Sequence, residues 1–268
     1  MIKLEKDITA FPQSLIPAFA DLFPSLVNIP LHSRTTHQKR MIIINGEAYI
    51  DKDEYNARYK KQDIRIALKD IYKNKCAFCE QKIEQYNVEH YRPKKTYYWL
   101  AFSWDNLIMA CPTCNQSKGI NFELVGNQVE FDNTEVNIRN INSSSESYDL
   151  IEKPKMVNPE ITNPLGKIQF KRDGLIESDN VRFAYTIEKC NIDRKYLNDE
   201  RRKLLDVFSR DIRSALIENE NPAVQQSEIS TIVRKFVRDS QDIELQFLAF
   251  RRFAISVGWL NEITKEMN

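Results

Sequence analysis

The sequence predicts an α+β protein that is mainly helical and is organised around a small core held by cysteines. Three observations support this fold class. Apolar residues recur at helical spacing from Val181 to the end of the chain. Two short segments carry the turn residues of β-hairpins. Four of the five cysteines form two C-x-x-C pairs within residues 76–119. We divide the chain into an N-terminal arm and hairpin (residues 1–59), a cysteine-bearing core (60–125), a loop and hairpin connection (126–180) and a C-terminal helical region (181–268).

The N-terminal segment is rich in proline, which predicts brief helices and extended pieces that pack on another part of the protein. Residues 41–50 place Asn45-Gly46 between two apolar runs and predict a β-hairpin with a type I′ turn. The first seven residues lack the apolar stretch of a secretory signal, and no window approaches the length of a membrane span. We therefore expect a cytoplasmic protein that does not bind a membrane.

The cysteine pairs follow a predicted helix over residues 62–75, in which apolar side chains recur at helical spacing. Each short C-x-x-C loop can direct two thiolates to one point, and a tetrahedral zinc site needs four. A disulfide, a thioredoxin-like redox motif and an iron–sulfur cluster are the alternatives. Two pairs in a reducing compartment favour one structural Zn²⁺. Its predicted ligands are Cys76, Cys79, Cys111 and Cys114.

Between the pairs lies the run VEHYRPKK at residues 88–95, followed by WDNL at residues 104–107 and by an asparagine directly after the last cysteine. This order resembles the HNH endonuclease family, whose ββα-metal motif carries a general-base histidine on its first strand. One departure is a glutamate where the family more often has aspartate. The resemblance implies that Glu89 binds a metal, His90 is the base, Asn106 supports the His-bearing loop and Asn115 is the second metal ligand.

The chemistry of these residues also favours hydrolysis. Adjacent residues on a strand point to opposite faces, so Glu89 and His90 cannot both reach one metal unless the strand bends, and separate roles are favoured. Carboxylate and amide oxygens suit Mg²⁺ or Mn²⁺. A neutral imidazole with a pKa near neutrality can take a proton from water. A surface or capping pair is the alternative, and the flanking cysteines and asparagines argue against it. The other histidines, His32 and His37, lie outside this cluster.

The net charge of +1 conceals an asymmetry, because residues 60–118 carry 11 Lys and Arg against 6 Asp and Glu, whereas residues 119–180 carry 6 against 11. A solvated surface is one explanation. The other is contact with nucleic-acid phosphates, which we predict for the basic residues around the proposed base. These are Arg92, Lys94, Lys95 and Lys118.

The nearby aromatic residues could stack on bases, but a small zinc domain needs an aromatic core. We therefore predict core packing for Tyr97, Tyr98, Trp99 and Trp104.

The second half begins with a polar run at residues 137–147, for which we predict a mobile loop. A second hairpin is predicted over residues 167–177, with its turn at Gly174. Three helices follow, with apolar stripes over residues 204–216, 229–237 and 245–257. The fifth cysteine, Cys190, lies in a helical pattern and is predicted to be a core residue.

The motifs narrow the resemblance further. C-x-x-C-E, the VEHYRPK run, W-x-N-L and C-x-x-C-N-x-x-K-G, together with residues 186–188 and 191–194, are similar to the PtuB group of HNH nucleases over residues 60–205. That group comes from Septu and retron-linked anti-phage defence systems, and it implies a complex with an ATPase partner, PtuA, that licenses cleavage. We expect the helices after Val181 to dock this ATPase, with Phe247, Phe250 and Trp259 forming an exposed apolar patch.

Three functions compete. The first is a metal-dependent endonuclease, with DNA as the favoured target and RNA as the alternative. The second is a zinc-ribbon protein that binds nucleic acid without catalysis, and the third is an adaptor in which zinc only stabilises a helical scaffold. Only the nuclease needs all four of the residues Glu89, His90, Asn106 and Asn115.

Overall fold

The computed structural model describes residues 1–18 and 20–267. Its strands are β1 (Asn87–His90), β2 (Leu107–Ala110), β3 (Gln169–Phe170) and β4 (Ile176–Glu177). Its α-helices are α1 (Thr36–Asn45), α2 (Asp53–Asn56), α3 (Gln62–Tyr72), α4 (Pro112–Lys118), α5 (Glu135–Arg139), α6 (Ser145–Glu152), α7 (Val181–Lys189), α8 (Lys195–Glu218), α9 (Pro222–Asp239), α10 (Leu248–Ser256) and α11 (Trp259–Met267). The protein is thus mainly helical with small sheets, as predicted.

The centre of the fold is a ββα unit. Strands β1 and β2 pair antiparallel, with Glu89 opposite Ile108 and His90 opposite Leu107. Every residue of β2 is buried, and helix α3 packs against this strand. Helix α4 follows β2 after one residue, with Pro112 in its first turn, where a missing backbone N–H costs nothing. This unit carries Glu89, His90 and Asn115 of the predicted site.

Helix α3 confirms the predicted helix before the first cysteine pair. It buries Ile64, Leu68 and Tyr72 on one face, as their spacing requires. The helix ends at Tyr72, three residues earlier than predicted, because the chain turns through left-handed conformations at Lys73 (φ 50°) and Asn74 (φ 54°). The turn directs the chain into the first cysteine pair.

The predicted hairpin at residues 41–50 is wrong, because residues 41–45 belong to helix α1 and residues 46–50 form no strand. Thr35 and Gln38 form a capping box that starts the helix, and Gly46 ends it instead of making a hairpin turn. The Arg40 side chain is buried and donates to the carbonyl oxygens of Leu15 (3.0 Å) and Phe102 (2.7 Å). Because polar side chains of α1 are buried along with its apolar ones, the helix has no amphipathic pattern to read.

The polar run at residues 137–147 is not an irregular loop. Helices α5 and α6 occupy its two ends, and Ile138 and Ile141 are fully buried. The Asn142 amide donates to the Leu15 carbonyl at 3.0 Å and accepts from the Trp104 backbone N–H at 3.1 Å. These partners are distant in sequence, so composition alone could not reveal them.

The second hairpin is confirmed, although β3 and β4 have only two residues each. Gly174 lies in the turn with φ 91°, and a Cβ there would meet the Asn198 carbonyl oxygen at 2.0 Å. The glycine is therefore required both by its backbone conformation and by the close approach of helix α8.

The C-terminal region contains the three predicted helices, as α8, α9 and α10, together with α7 and α11. Cys190 is fully buried, as predicted. The expected apolar patch is wrong. Phe247 and Phe250 are 2% and 1% exposed, and Trp259 packs against Phe250 and Phe253. One continuous apolar core runs from the N-terminal arm to α11. Within the part of the chain that the structure describes, no helix is both long and apolar enough to cross a bilayer.

Candidate functional site

The four paired cysteines converge on one point. Their Sγ atoms all lie within 4.8 Å of one another, and all four residues are buried. The first pair lies on the loop after α3, which the backbone hydrogen bond from Ala77 N to Met109 O (2.8 Å) ties to β2. The second pair begins α4, where Cys111 Sγ caps the helix by accepting from Cys114 N. Four sulfur donors at this spacing fit a metal that prefers tetrahedral thiolate ligands, such as zinc.

Arg194 covers this cluster from the C-terminal region. Its guanidinium lies 3.5 Å from Cys114 Sγ and 3.8 Å from Cys111 Sγ, and 3.5 Å from the Gln81 side-chain oxygen. Burial disfavours its charge, but the neighbouring cysteines outweigh burial and raise the pKa of Arg194. In the sequence, this residue is marked only by its place in the 191–194 segment that is similar to the PtuB group, and that similarity implies no role for it.

Glu89 is held from two sides. One carboxylate oxygen accepts a hydrogen bond from Lys118 Nζ at 2.8 Å, and the other accepts from the Asn115 side chain. Lys118 is fully buried and also donates to the His90 carbonyl at 2.8 Å. Its predicted phosphate contact is therefore wrong, because its ammonium group is used inside the protein.

Asn115 lies at the more exposed end of this site. It is half-buried, and its amide oxygen accepts from the exposed Asn87 side chain at 2.9 Å. A rotation of the Asn115 amide by half a turn would direct its oxygen toward Glu89. The two residues could then offer one carboxylate oxygen and one amide oxygen to a divalent cation that keeps several waters. The donor set thus fits Mg²⁺ or Mn²⁺, while the roles of both residues remain predictions.

His90 points to different neighbours from those of Glu89, as alternation along a strand requires. Its Nε2 lies 3.0 Å from the Ala101 carbonyl oxygen, and its ring meets the edge of the Tyr59 ring with centroids 4.5 Å apart. A carbonyl can only accept, so Nε2 carries the proton and Nδ1 is the unprotonated nitrogen of the neutral ring.

Burial lowers the pKa of His90 to about 3, with further lowering by the charges of Lys94, Lys118 and Lys60. The prediction of a pKa near neutrality is therefore wrong, although the imidazole is neutral at pH 7 as the proposed base requires. His37 is buried and bonded to the Leu22 carbonyl, and His32 is exposed, so neither adds to this cluster.

Asn106 joins the loop after His90 to the start of β2. It is fully buried; its amide oxygen accepts from Arg92 N at 2.7 Å, and its amide nitrogen donates to the carbonyls of Arg92 (3.0 Å) and Leu100 (3.2 Å). These three bonds hold both ends of the residue 92–100 segment. The geometry suits the loop-supporting role that the resemblance implies.

The prediction for Arg92 is wrong, and its surroundings show why. The guanidinium is fully buried and contacts Glu152 (2.9 Å), Ser145 (2.6 Å) and Asp149 (2.5 Å) on α6. It is the internal partner of acidic residues from the 119–180 region and cannot reach a phosphate. Of the predicted phosphate contacts, only the half-buried Lys94 and the exposed Lys95 remain accessible.

The predicted core packing of the aromatic residues is confirmed, since Tyr97, Trp99 and Trp104 are buried and Tyr98 is half-buried.

Sequence reasoning missed three residues near the proposed base, of which Tyr59 contacts His90. Tyr49, Asn56 and Tyr59, from the segment around α2, surround the Lys94 ammonium group. No local pattern marks them, because their contact with Lys94 joins segments more than thirty residues apart.

Residues 76–120 match the family model for HNH endonucleases. In this segment the chain is similar to HNH endonucleases. Over 164 residues the chain is 27% identical to Septu protein PtuB from Bacillus mycoides (strain KBAB4), covering 54% of this chain and 52% of that protein. Over 84 residues it is 36% identical to Septu protein PtuB from Bacillus thuringiensis, covering 29% and 33%.

The chain spans about half the length, or less, of these PtuB relatives. Within the matched segment lie the four cysteines, the ββα unit and all four residues implied by the family resemblance.

Proposed function

We propose that the chain is a metal-dependent HNH endonuclease that hydrolyses phosphodiester bonds in DNA. The observation that carries this proposal is the orientation of His90. Its Nε2 donates to the Ala101 carbonyl, which leaves Nδ1 unprotonated. The preceding residue along the strand, Glu89, is a carboxylate bonded to the Asn115 amide. A zinc-binding adaptor would need neither the oriented imidazole nor the oxygen donors beside it.

In the proposed mechanism, His90 Nδ1 takes a proton from water as the water oxygen attacks phosphorus. The bond from phosphorus to the leaving oxygen breaks, and that oxygen takes a proton from solvent. Glu89 and Asn115 would hold Mg²⁺ or Mn²⁺, which supplies charge stabilisation to the phosphate and the leaving oxygen. Asn106 keeps the loop after His90 in place. We assign Zn²⁺ at the four cysteines a purely structural role.

We further propose that the chain is a cytoplasmic effector subunit of an anti-phage defence complex. The support is its similarity to Septu protein PtuB. The partner would be a PtuA-like ATPase, docked on the region from residue 181 onward, with the nuclease core at residues 60–125. Helices α7–α11 lie outside the segment that matches the HNH family model. Among the described residues, α8 and α9 are the longest helices, so this region offers an extended surface for a partner.

The nuclease proposal is tested by nicking of a supercoiled plasmid by the full chain with EDTA, Mg²⁺ or Mn²⁺. Cleavage should require the added cation, and His90→Ala should lower the rate by about 10²- to 10⁴-fold, the usual contribution of a general base. Zinc content should stay unchanged, because His90 is no zinc ligand, and circular dichroism would check that the variant is folded. Equal rates for His90→Ala and wild type would refute the mechanism. Parallel reactions with a single-stranded RNA would show whether RNA is the better substrate.

The partner proposal is tested by co-expression with a PtuA-like ATPase and by truncation after Glu177. Loss of co-purification from a fragment that still holds zinc would support docking on the C-terminal helices. Retained co-purification of that fragment would place the docking site elsewhere.

A further inference from the structure

A lysine lies in a polar and aromatic cage beside the proposed base. Lys94 Nζ donates to the Asn56 side-chain oxygen at 2.7 Å and to the Tyr59 hydroxyl at 2.9 Å. It also lies 4.3 Å from the centroid of the Tyr49 ring and 4.9 Å from that of the Tyr59 ring. Hydrogen bonds and ring faces on several sides restrict a side chain that is otherwise among the most flexible.

The cage is itself held together. The Asn56 oxygen accepts not only from Lys94 but also from the hydroxyls of Tyr49 (2.8 Å) and Tyr59 (3.1 Å). The Asn56 amide nitrogen donates to Asp51 at 2.9 Å. Every member of this network has a partner, and Tyr59 is 5% exposed. The ammonium position is therefore set by the fold before any ligand arrives.

The charge of Lys94 is only weakly compensated. Asp51, the carboxylate with which it pairs, lies 3.8 Å away and is 55% exposed, so solvent screens the pair. An ammonium group has three N–H donors, and the two hydrogen bonds of the cage use two of them. The Lys94 side chain is 20% exposed, and the two hydrogen bonds of the cage leave its third N–H for another acceptor.

Tyr59 connects this lysine to the base. Its ring stands edge-on to the His90 ring at 4.5 Å and an interplanar angle of 79°, while its hydroxyl accepts from Lys94. The base and the cation therefore share one neighbour, Tyr59.

We infer that Lys94 is a catalytic residue that donates its third N–H to a nonbridging oxygen of the scissile phosphate, and that Tyr59 is the positioning residue for both Lys94 and His90. This inference rests on the proposed function. Arg92 and Lys118 cannot take the role, because both are fully buried in internal ion pairs. Lys95 is exposed, and no contact holds its ammonium group in a fixed position among the interactions that the structure describes.

The test is single-turnover nicking of a supercoiled plasmid by the full chain at saturating protein, with Mg²⁺. Lys94→Met should lower the saturated rate about 10²-fold, as expected for loss of one preorganised donor to the transition state. Lys94→Arg should recover part of that loss. Tyr59→Phe keeps the ring against His90 but loses the hydroxyl, and should lower the rate about tenfold, the effect of one net hydrogen bond.

The matched controls are Lys167→Met and Tyr196→Phe, an exposed lysine and an exposed tyrosine outside the site, which should stay within about twofold of wild type. Zinc content and melting temperature would be measured for every variant. If Tyr59 acts by holding Lys94, Tyr59→Phe should have no further effect in the Lys94→Met background.

A Lys94→Met variant with the wild-type rate at saturation would overturn the inference while leaving the nuclease proposal intact. Independent, multiplicative effects of Lys94→Met and Tyr59→Phe would overturn the positioning role. Failure of the wild type to nick under any cation would instead count against the proposed function itself. A second readout guards against misfolding: the ¹⁵N signals of His90 should show the Nε2–H tautomer in wild type and Tyr59→Phe, and should broaden or shift in Tyr59→Leu.

Discussion

The four-cysteine cluster and the Glu89–His90 site share the same ββα unit, yet their polar atoms have different surroundings. The cluster is closed: four buried thiols face one another, and Arg194 covers two of them. The second site has groups free to act on a substrate. His90 Nδ1 is unprotonated, and Asn115 is only half-buried beside the exposed Asn87. A closed set of four ligands is suited to stability, and a set with open positions is suited to chemistry.

The largest effect expected from this comparison is at the closed site. Cys111→Ser should abolish metal binding and unfold the region around α4, because structural zinc supplies about 10–16 kcal/mol of apparent binding free energy, against a usual domain stability of about 5–15 kcal/mol. Cys190→Ala is the control, since Cys190 lies outside the cluster. The measurements are metal content and circular dichroism melting. An unchanged melting temperature after strong chelation would remove the structural role.

Asn106→Ala should cost about 2–4 kcal/mol of unfolding free energy, because it leaves the buried N–H and C=O of Arg92 without partners. The effect should be smaller than loss of the metal, since the cysteine cluster still holds α4. Urea unfolding measures it, with Asn133→Ala, at an exposed asparagine, as the control. Equal stability of the two variants would show that the loop after His90 is held without Asn106.

Acid should weaken the second site through His90. Its pKa is lowered to about 3 in the folded protein, whereas an unfolded histidine titrates near pH 6.5, so the unfolded state binds the proton first as pH falls. Between pH 7.5 and 5, wild type should therefore lose about 2 kcal/mol of unfolding free energy relative to His90→Asn. Urea unfolding of both proteins at the two pH values tests this. Parallel changes would mean that His90 is more exposed in solution.

Asn115→Ala should lower nicking about tenfold at limiting Mg²⁺, and excess cation should partly restore it, because one of two proposed oxygen ligands is lost. Gln116→Ala, at the exposed neighbour on α4, should leave the Mg²⁺ dependence unchanged. The readout is the Mg²⁺ concentration for half-maximal nicking. A variant that loses zinc instead would show that the two sites are not separable.

The smallest expected effect belongs to the cover of the closed site. Arg194→Gln should raise the rate of zinc release to a chelator about threefold, because it removes a cation and charge-assisted hydrogen bonds from the thiolates but no ligand. The zinc release rate of Arg194→Lys should fall between those of wild type and Arg194→Gln. Arg202→Gln, on the exposed side of α8, should release zinc at the wild-type rate. Absorbance of a chelator–zinc complex follows the release. Identical release rates for Arg194→Gln and wild type would mean that the guanidinium contributes nothing to metal retention.

The sequence by itself determined the parts of this protein that depend on local spacing. The two C-x-x-C pairs, the order of Glu89, His90, Asn106 and Asn115, and the apolar stripes of α8–α10 could all be read along the chain, because a short loop, strand or helix brings near neighbours together in a known way.

Only the tertiary structure decided what the charged and buried polar residues do. Residues 41–45 lie in helix α1, which can bury Arg40 because Leu15 and Phe102 offer it carbonyl partners. The Arg92 guanidinium is buried because α6 brings two carboxylates to it. The Lys94 ammonium group is held in place because Tyr59 and Asn56 accept its hydrogen bonds. A charge contributes according to the partner it meets on folding, and a partner tens of residues away leaves no local pattern.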